Sequence, residues 1–279
     1  TLTALTRRDP EVSTSWTIEH LLKDVDDVKA YLQLPDEVFE YTYDATALIE
    51  EEQALGEAGI VMVDTGDPIG HAASLFSTAD YTVFALTQPH LFHQLLEKHT
   101  RLCYTMTQQT SEQFPGHLWR ICGSEYASEP FLPPRLYEEY VARYTKPMVN
   151  IIQEHGGYAR LHSHGRLKNI LPYIMEMGVS GLDPIEPPPQ GDMELIDVRR
   201  QYGEQLVLFG NIEASELELL QPPTFEARVR QALCEGTAGK GRGFVLMPSA
   251  CPYGRHIPAH VLANYETMVR LAKAHTADH

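Results

Sequence analysis

Short apolar runs alternate with amphipathic segments from about residue 55 to the end of the chain. Each run has the length of a β-strand and lacks the polar alternation of a half-exposed one, as in a parallel sheet covered on both faces. The pattern predicts six strands, over residues 59–64, 117–123, 157–164, 179–183, 205–211 and 243–249.

The segments between these runs have the 3.6-residue period of helices that bury one face. The longest covers residues 89–113, and Pro172 lies inside a shorter one, which we expect it to kink. Residues 17–50 are also mostly helical in pattern. The remaining predicted helices cover residues 132–144, 166–178, 192–202 (capped by Asp192) and 224–235, and a last one begins at Pro258.

Strands that alternate with helices predict parallel β-α-β units. A closed (β/α)8 barrel of the TIM type has eight strands, so two more either lie within residues 1–55 or precede Thr1. We therefore expect one barrel domain over residues 1–279 that lacks part of the barrel's N-terminal portion, with residues 1–55 mostly helical.

The charge of the chain argues against two classes of partner. Its formal net charge is -16 over 279 residues, which disfavours nucleic acid and anionic membrane surfaces. No apolar run approaches the roughly 18 to 20 residues that span a bilayer. The first residues, TLTALTRRDP, lack the apolar segment of a secretory signal.

The four cysteines contain no CxxC pair and do not resemble a disulfide framework. We expect a reduced, cytoplasmic protein in which each cysteine is core filler or a ligand.

Polar side chains follow almost every predicted strand. In a parallel barrel the active site forms at the carboxyl ends of the strands, so these side chains should converge. They are Asp64, Cys122, His162, His164, Asp183, Glu186, Asn211, Glu213, Ser249 and Cys251.

Two histidines two residues apart, His162 and His164, end the third strand. On a strand this spacing places both imidazoles on one face, which is half of a zinc site. Cys251 lies just past the sixth strand and would complete a His/His/Cys set, with Glu186 as a possible oxygen ligand. The alternative is that the histidines hydrogen-bond and pack structurally, while Cys251 fills space as a small apolar side chain.

Four further residues are candidate catalytic groups. The segment DPIEPPPQGD contains three consecutive prolines, which would hold Asp183 and Glu186 in fixed directions. Asn211 follows a glycine at a strand end, and Glu125 comes directly after another strand. Each has a structural alternative. The proline segment would be a rigid connector, Asn211 would lie in an ordinary turn with a helix cap, and Glu125 would lie in a solvated loop.

The glycine-rich stretch GTAGKGRG (236–243) superficially resembles a phosphate loop. A phosphate loop runs from strand to glycines to helix and has Ser or Thr after its Lys. Here the order is reversed and Gly241 follows Lys240, so phosphate binding is not expected.

Several of these motifs, in this order, resemble the uroporphyrinogen decarboxylase superfamily over residues 55–275. The resemblance implies a TIM-type barrel and one of two activities. The motifs are DTGDPIG, GSEYASEPFLPPRLYEEYV, LHSHGR, GLDPIEPPP, LFGNIE and VLMPSACP, with Asn264 in the last helix.

One branch of that superfamily comprises the metal-independent decarboxylases, which grip porphyrinogen carboxylates with an arginine-rich N-terminal segment and an aspartate. RRDP (7–10) does not match that segment, and a chain of net charge -16 is a poor clamp for a polyanion.

The other branch comprises zinc-dependent, cobalamin-linked methyltransferases with a His-x-Cys-Gly motif and a later cysteine. Matched onto this chain, the motif becomes His162 to Gly165, with His164 in place of a cysteine, and the later cysteine becomes Cys251. The resemblance implies that zinc activates a small-molecule thiol, which takes a methyl group from a corrinoid carried by a partner protein. The chain has no corrinoid-binding DxHxxG motif of its own.

We therefore expect a zinc-dependent methyltransferase, with a homodimer possible. A metal-independent carboxy-lyase is the first alternative. A metal-dependent hydrolase is disfavoured, because in that class the HxH motif closes the first strand. A non-catalytic binding protein is the fourth hypothesis.

Overall fold

The computed structural model describes residues 1–12, 14–252 and 254–277 of an α/β fold. Two short strands come first, β1 (Leu5–Arg8) and β2 (Ser15–Glu19), and form a two-stranded sheet of their own. The main sheet has six parallel strands in sequence order. These are β3 (Met62–Gly66), β4 (Leu118–Cys122), β5 (Tyr158–His162), β6 (Gly181–Ile185), β7 (Val207–Ile212) and β8 (Phe244–Pro248).

Each predicted strand of the main sheet is present, with small shifts at its ends, so that prediction is confirmed. Within the described part of residues 1–55, β1 and β2 form a sheet of their own and do not supply the two further strands that a closed barrel requires. The part of the chain that the structure describes thus contributes six strands to the parallel sheet rather than eight.

Helices follow most strands of the main sheet. The longest, α5 (Pro89–Gln113), has the predicted bounds. A π-helical turn, Glu138–Ala142, joins α6 to α7. The other helices are α1 (Val25–Leu32), α2 (Thr46–Leu55), α3 (Pro68–Ala73), α4 (Thr78–Thr87), α6 (Arg135–Tyr137), α7 (Arg143–Glu154), α8 (Leu171–Met177), α9 (Leu195–Tyr202), α10 (Ala214–Leu219), α11 (Pro222–Gly236) and α12 (Ala259–Ala277).

The first helix begins later than the sequence pattern indicates. Trp16 and Ile18 lie in β2, where aromatic and β-branched side chains are favoured. The carboxylate of Asp24 accepts hydrogen bonds from the backbone N–H groups of Asp26 and Asp27, both at 2.9 Å. This cap fixes the start of α1 at Val25.

The predicted helix 166–178 is shortened in a similar way, since α8 begins only at Leu171. Pro172 therefore lies in the first turn, where a missing N–H costs nothing, and it does not kink the helix. Gly178 ends the helix with a positive φ of 76°, as predicted.

Asp192 does not cap α9, which begins at Leu195. Its Oδ1 atom instead accepts hydrogen bonds from the backbone N–H groups of Leu167 (2.8 Å) and Lys168 (3.1 Å). The carboxylate therefore fixes the loop that follows His164.

The chain divides into two compact units. The first comprises Thr1–Thr6, Thr17–Ser163 and Asn169–Ser180, and the second comprises Arg7–Trp16, His164–Lys168 and the chain from Gly181 onward. The first unit has a core that includes Ile69, Phe92, Leu95, Trp119, Ile121 and Tyr140, all fully buried. The core of the second includes Leu182, Leu208, Ile212, Leu217, Phe225 and Val229.

Among the described residues, no helix is long and apolar enough to cross a membrane.

Candidate active site

The carboxyl ends of the strands in the second unit lie side by side. β7 pairs in parallel with both β6 and β8. Beyond the strands, the backbone N–H of Ser249 donates to the carbonyl of Ile212 (2.7 Å), and the Ser249 hydroxyl accepts from the backbone N–H of Ala214 (3.1 Å). The residues that follow these strands therefore share one edge, as predicted for this half of the chain.

A histidine–carboxylate pair lies at this edge. Glu186 accepts a hydrogen bond from His164 Nδ1 at 2.7 Å and another from the backbone N–H of Gly165 at 2.5 Å. The Glu186 side chain is 9% exposed and that of His164 is 36% exposed. Because the carboxylate can only accept, Nδ1 carries the donated proton, and in the neutral imidazole Nε2 is then the ring nitrogen with the lone pair.

The proline-rich loop holds Glu186 in place. The backbone N–H of Gly191 donates to the carbonyl of Pro187 at 3.0 Å, so the loop turns back on itself. A Cβ atom on Gly191 would collide with the carbonyl oxygen of Glu186, which is why glycine is required here. Asp183, on β6, is completely buried.

Glu213 is a second buried carboxyl group at this edge. The residue is 7% exposed, and its Oε1 atom has no hydrogen-bond partner among the described residues. Burial raises the pKa of Glu213, and the negative charges of Glu186 and Glu216 raise it further, while a hydrogen bond with the Ser249 side chain and the charge of His164 lower it. Glu213 follows β7 and Glu186 follows the neighbouring strand β6, so both carboxyl groups belong to the same strand edge. The sequence pattern identified Glu213 only as one of ten polar residues at the predicted strand ends.

Asn211 is held by an arginine that the sequence pattern did not single out. The Arg228 guanidinium on α11 donates to the Asn211 side-chain oxygen at 2.9 Å and also to the Asn211 carbonyl. Asn211 is 2% exposed. A catalytic role for Asn211 remains a prediction. In the structure, its two oxygens hold the end of β7 to Arg228 of α11.

Cys251 lies after β8 and its thiol is exposed. Cys251 is near Tyr265 of α12. Burial raises the pKa of the Tyr265 phenol, and the negative charge of a Cys251 thiolate raises it further. Within the described ranges, no three or more His, Cys, Asp or Glu side chains are grouped so as to hold a metal ion. The ligand set His162, His164 and Cys251 remains a prediction.

The first unit contains a buried acid that sequence analysis missed. Asp67 is fully buried, its Oδ1 accepts from the backbone N–H of Gly70 at 2.8 Å, and its Oδ2 accepts from the Thr145 hydroxyl at 3.4 Å. Burial raises the pKa of Asp67 to about 8, and the charge of Glu125 adds to the effect. Sequence analysis pointed instead to Asp64, which is exposed and paired with Arg120 at 3.1 Å.

The remaining candidates of the first unit lie around the ends of β4 and β5. Glu125 accepts from the backbone N–H of Gly123 at 3.2 Å. His162 is 7% exposed, and its carbonyl accepts from the Ser124 hydroxyl at 3.2 Å. Burial raises the pKa of the Cys122 thiol to about 12, so this cysteine is not a thiolate at neutral pH.

Parallel strands with a histidine–carboxylate pair at their carboxyl ends are typical of α/β enzymes. The chain belongs to the uroporphyrinogen decarboxylase (URO-D) family, whose model matches residues 10–275. The resemblance noted from the sequence motifs is therefore confirmed.

Solved structures with a similar fold include a methyltransferase from Methanosarcina mazei. It has a TM-score of 0.65 and 14% identity, and the alignment covers 97% of this chain and 76% of that chain. A D-psicose 3-epimerase gives a TM-score of 0.41 at 9% identity, with 85% of this chain and 92% of that chain covered. A sugar phosphate isomerase/epimerase from Parabacteroides distasonis gives 0.42 at 9% identity, with coverages of 82% and 93%. A comparison with curated proteins finds no match.

Proposed function

We propose that the chain is a methyltransferase, which moves a methyl group from a corrinoid on a partner protein to a small-molecule thiol or similar acceptor. The observation that carries the proposal is the Glu186–His164 hydrogen bond of 2.7 Å, which fixes both the direction and the tautomer of the imidazole. The fold shared with the M. mazei methyltransferase over 97% of this chain supports it. In this proposal the six strands form part of a (β/α)8-type barrel.

The chemistry assigned to His164 is proton removal. Nε2 accepts the proton of the thiol, and Glu186 stabilises the imidazolium that results. The thiolate sulfur then forms a bond to the methyl carbon as the bond between that carbon and its donor breaks, and the donor leaves with the bonding electron pair.

The charge of the second unit's strand edge favours this reaction over decarboxylation of a porphyrinogen. Asp183, Glu186 and Glu213 bring three buried carboxyl groups to the ends of β6 and β7. A substrate that carries several carboxylates would be repelled by ionised groups at this edge. A thiol binds at this edge uncharged and meets no such repulsion, and it becomes an anion only when His164 accepts its proton.

Zinc fits this chain only in part. Two imidazoles and a thiol are zinc donors, and a carboxylate on Nδ1 commonly orients a zinc-binding histidine. However, the described residues do not bring three such donors together. Zinc and the corrinoid therefore remain predictions, and no step above passes through a metal ion.

A metal analysis tests the zinc prediction directly. About one zinc per chain by mass spectrometry, lost in His164→Ala and in Cys251→Ala, would establish the zinc site and would show that His164 Nε2 binds the metal rather than accepting the thiol proton. The control is His260→Ala, an exposed histidine of the same unit that contacts the Glu218 carbonyl. Absence of metal from the wild type after zinc is supplied would exclude the zinc prediction and leave the proton-transfer role of His164 intact.

A carboxy-lyase is the second candidate, and Asp67 is the observation that favours it. With its pKa raised to about 8, this carboxyl group holds a proton at neutral pH and could protonate a carbanion after loss of carbon dioxide. Its complete burial and its cap on α3 favour a structural role instead.

The two functions are separated by assaying the wild type for both reactions. We expect methyl transfer from methylcobalamin to 2-mercaptoethanol and no decarboxylation of uroporphyrinogen. His164→Gln should lower the rate of methyl transfer about 100-fold or more, and His260→Gln should leave it unchanged. Decarboxylation that is abolished by Asp67→Asn would establish the second candidate.

A further inference from the structure

The guanidinium of Arg228 connects α11 with the end of β7 and the start of α10. It donates through one nitrogen to the carbonyl and side-chain oxygens of Asn211, the latter at 2.9 Å. Through Nε it donates to both carboxylate oxygens of Glu216, at 2.9 and 3.2 Å. The Arg228 side chain is only 14% exposed, so these contacts are largely shielded from water.

Glu216 passes this restraint to the residue that precedes α10. Its Oε2 atom accepts a hydrogen bond from the backbone N–H of Glu213 at 2.9 Å. The N-terminus of α10 is closed by a reciprocal cap, since the Glu213 carboxylate in turn accepts a hydrogen bond from the backbone N–H of Glu216. The Arg228 guanidinium fixes the Glu216 side of this cap.

Ser249 restrains the same segment from the other side. Its hydroxyl accepts from the backbone N–H of Ala214 at 3.1 Å, and its own N–H donates to the carbonyl of Ile212 at 2.7 Å. The backbone between residues 211 and 214 is thus fixed by side chains from α11 and from the loop after β8. The buried carboxyl group that this backbone carries is Glu213.

We propose that Arg228 is a positioning residue: by holding Asn211 and Glu216 it fixes the Glu213 carboxyl group at the strand edge that also carries the His164–Glu186 pair. This inference rests on the proposed function, in which that pair removes the proton of the acceptor. The role requires arginine rather than any cation, because only a planar guanidinium reaches Asn211 and both Glu216 oxygens at once.

The test compares Arg228→Lys with Arg230→Lys. Both variants keep the positive charge and both lie on α11, but Arg230 is exposed and contacts only Glu226 in the described residues. For methyl transfer from methylcobalamin to 2-mercaptoethanol, we expect Arg228→Lys to lower kcat about tenfold with little change in KM for the thiol. Arg230→Lys should change neither. A kcat for Arg228→Lys equal to that of Arg230→Lys would overturn the proposal.

A second readout does not depend on turnover. In protein labelled with carboxyl-¹³C glutamate, the Glu213 signal is assigned by its loss in Glu213→Gln and titrated by NMR. We expect a raised pKa in the wild type and in Arg230→Lys, and a pKa nearer the ordinary value in Arg228→Lys, because the freed segment admits water. Equal titrations in all three would overturn the positioning role.

The two readouts distinguish failure of this inference from failure of the proposed function. A wild type without methyl transfer, together with a Glu213 signal that moves only in Arg228→Lys, would refute the proposed function and support the positioning role. If Arg228→Lys does not fold, Glu216→Gln replaces it in the kinetic readout alone, because loss of the Glu216 charge would by itself lower the pKa of Glu213. It removes one acceptor of the network, leaves the Asn211 contact intact and should lower kcat in the same way.

Discussion

At the scale of single residues, backbone carbonyls of the glycine-rich stretch 236–243 accept hydrogen bonds from an arginine of the same chain. The buried Arg199 guanidinium donates to the carbonyls of Ala238 (3.0 Å) and Gly243 (3.3 Å). These carbonyl oxygens are directed at a cation, whereas a phosphate loop presents backbone N–H groups to an anion, so the absence of phosphate binding remains a prediction. The guanidinium also occupies the space in which a Gly241 side chain would lie.

Gly241→Ala should therefore destabilise the second unit by about 1 to 3 kcal/mol, because the added methyl group collides with Arg199. The measurement is urea denaturation of Gly241→Ala in the wild type and in an Arg199→Met background, where the cost should be smaller. Gly239→Ala is the control: it has open space around it and a φ of 61°, so it should cost only about 1 kcal/mol of backbone strain. Equal costs of Gly241→Ala in both backgrounds would contradict this explanation.

Asp67 makes a prediction about pH. Its folded-state pKa of about 8 lies above the ordinary value of 3.8, so the folded protein binds the extra proton between these limits. The contribution of Asp67 to stability is therefore present at low pH and is lost as the pH rises through about 8. Asp67→Asn keeps the oxygen that accepts from Gly70 and does not titrate.

We expect Asp67→Asn to be more stable than the wild type near pH 9, by about 1 kcal/mol or more, and the difference to shrink towards about pH 5. Thermal unfolding at several pH values measures it. The control, Asp64→Asn, changes an exposed carboxylate that is paired only with Arg120 and Cys122 in the described residues. If the difference in unfolding free energy between Asp67→Asn and the wild type did not vary with pH, the pKa of Asp67 would not be raised in the folded protein.

At the scale of elements, α3 and α5 pack through stacked imidazoles. The rings of His71 and His99 lie 5.7 Å apart at an interplanar angle of 13°. Burial lowers the pKa of His99 to about 3, and nearby His71 and Lys98 lower it further. Because the ordinary value is 6.5, the unfolded chain binds this proton first as the pH falls, and stability is lost between about 6.5 and about 3.

His99→Phe should remove that part of the acid sensitivity while keeping an aromatic ring in the contact. Chemical denaturation at pH values from about 7 to about 4 should give a shallower loss of stability for this variant than for the wild type. His90→Phe, on the exposed face of the same helix, should follow the wild type. The same slope in all three proteins would show that His99 does not carry the effect.

The elements were predictable where periodicity decides them, and not where a single side-chain contact does. The bounds of α5 and the strands of the main sheet follow from apolar spacing. The start of α1 depends on the Asp24 cap, and the shorter α8 follows from Asp192, whose carboxylate binds the Leu167 N–H from 25 residues away. No local pattern reports such a contact.

At the scale of the whole molecule, the family and half of the candidate chemistry were accessible from the sequence. The rule that parallel strands gather polar residues at their carboxyl ends singled out His164 and Glu186, which the structure joins. The role of Arg228 was not accessible, because 17 residues separate it from Asn211 and its helix has an ordinary charged face. Asp67 was missed because the predicted strand 59–64 ends at Asp64, so the strand-end rule selected Asp64 instead.

The most direct test of the proposed function is the rate of methyl transfer by Glu186→Gln. Glutamine keeps the size of the side chain but weakens the hold on the imidazole and removes the charge that stabilises its protonated form. We expect kcat to fall about 10- to 100-fold relative to the wild type, with His260→Gln unchanged. A Glu186→Gln enzyme as fast as the wild type, or a wild type that transfers no methyl group, would contradict the proposal.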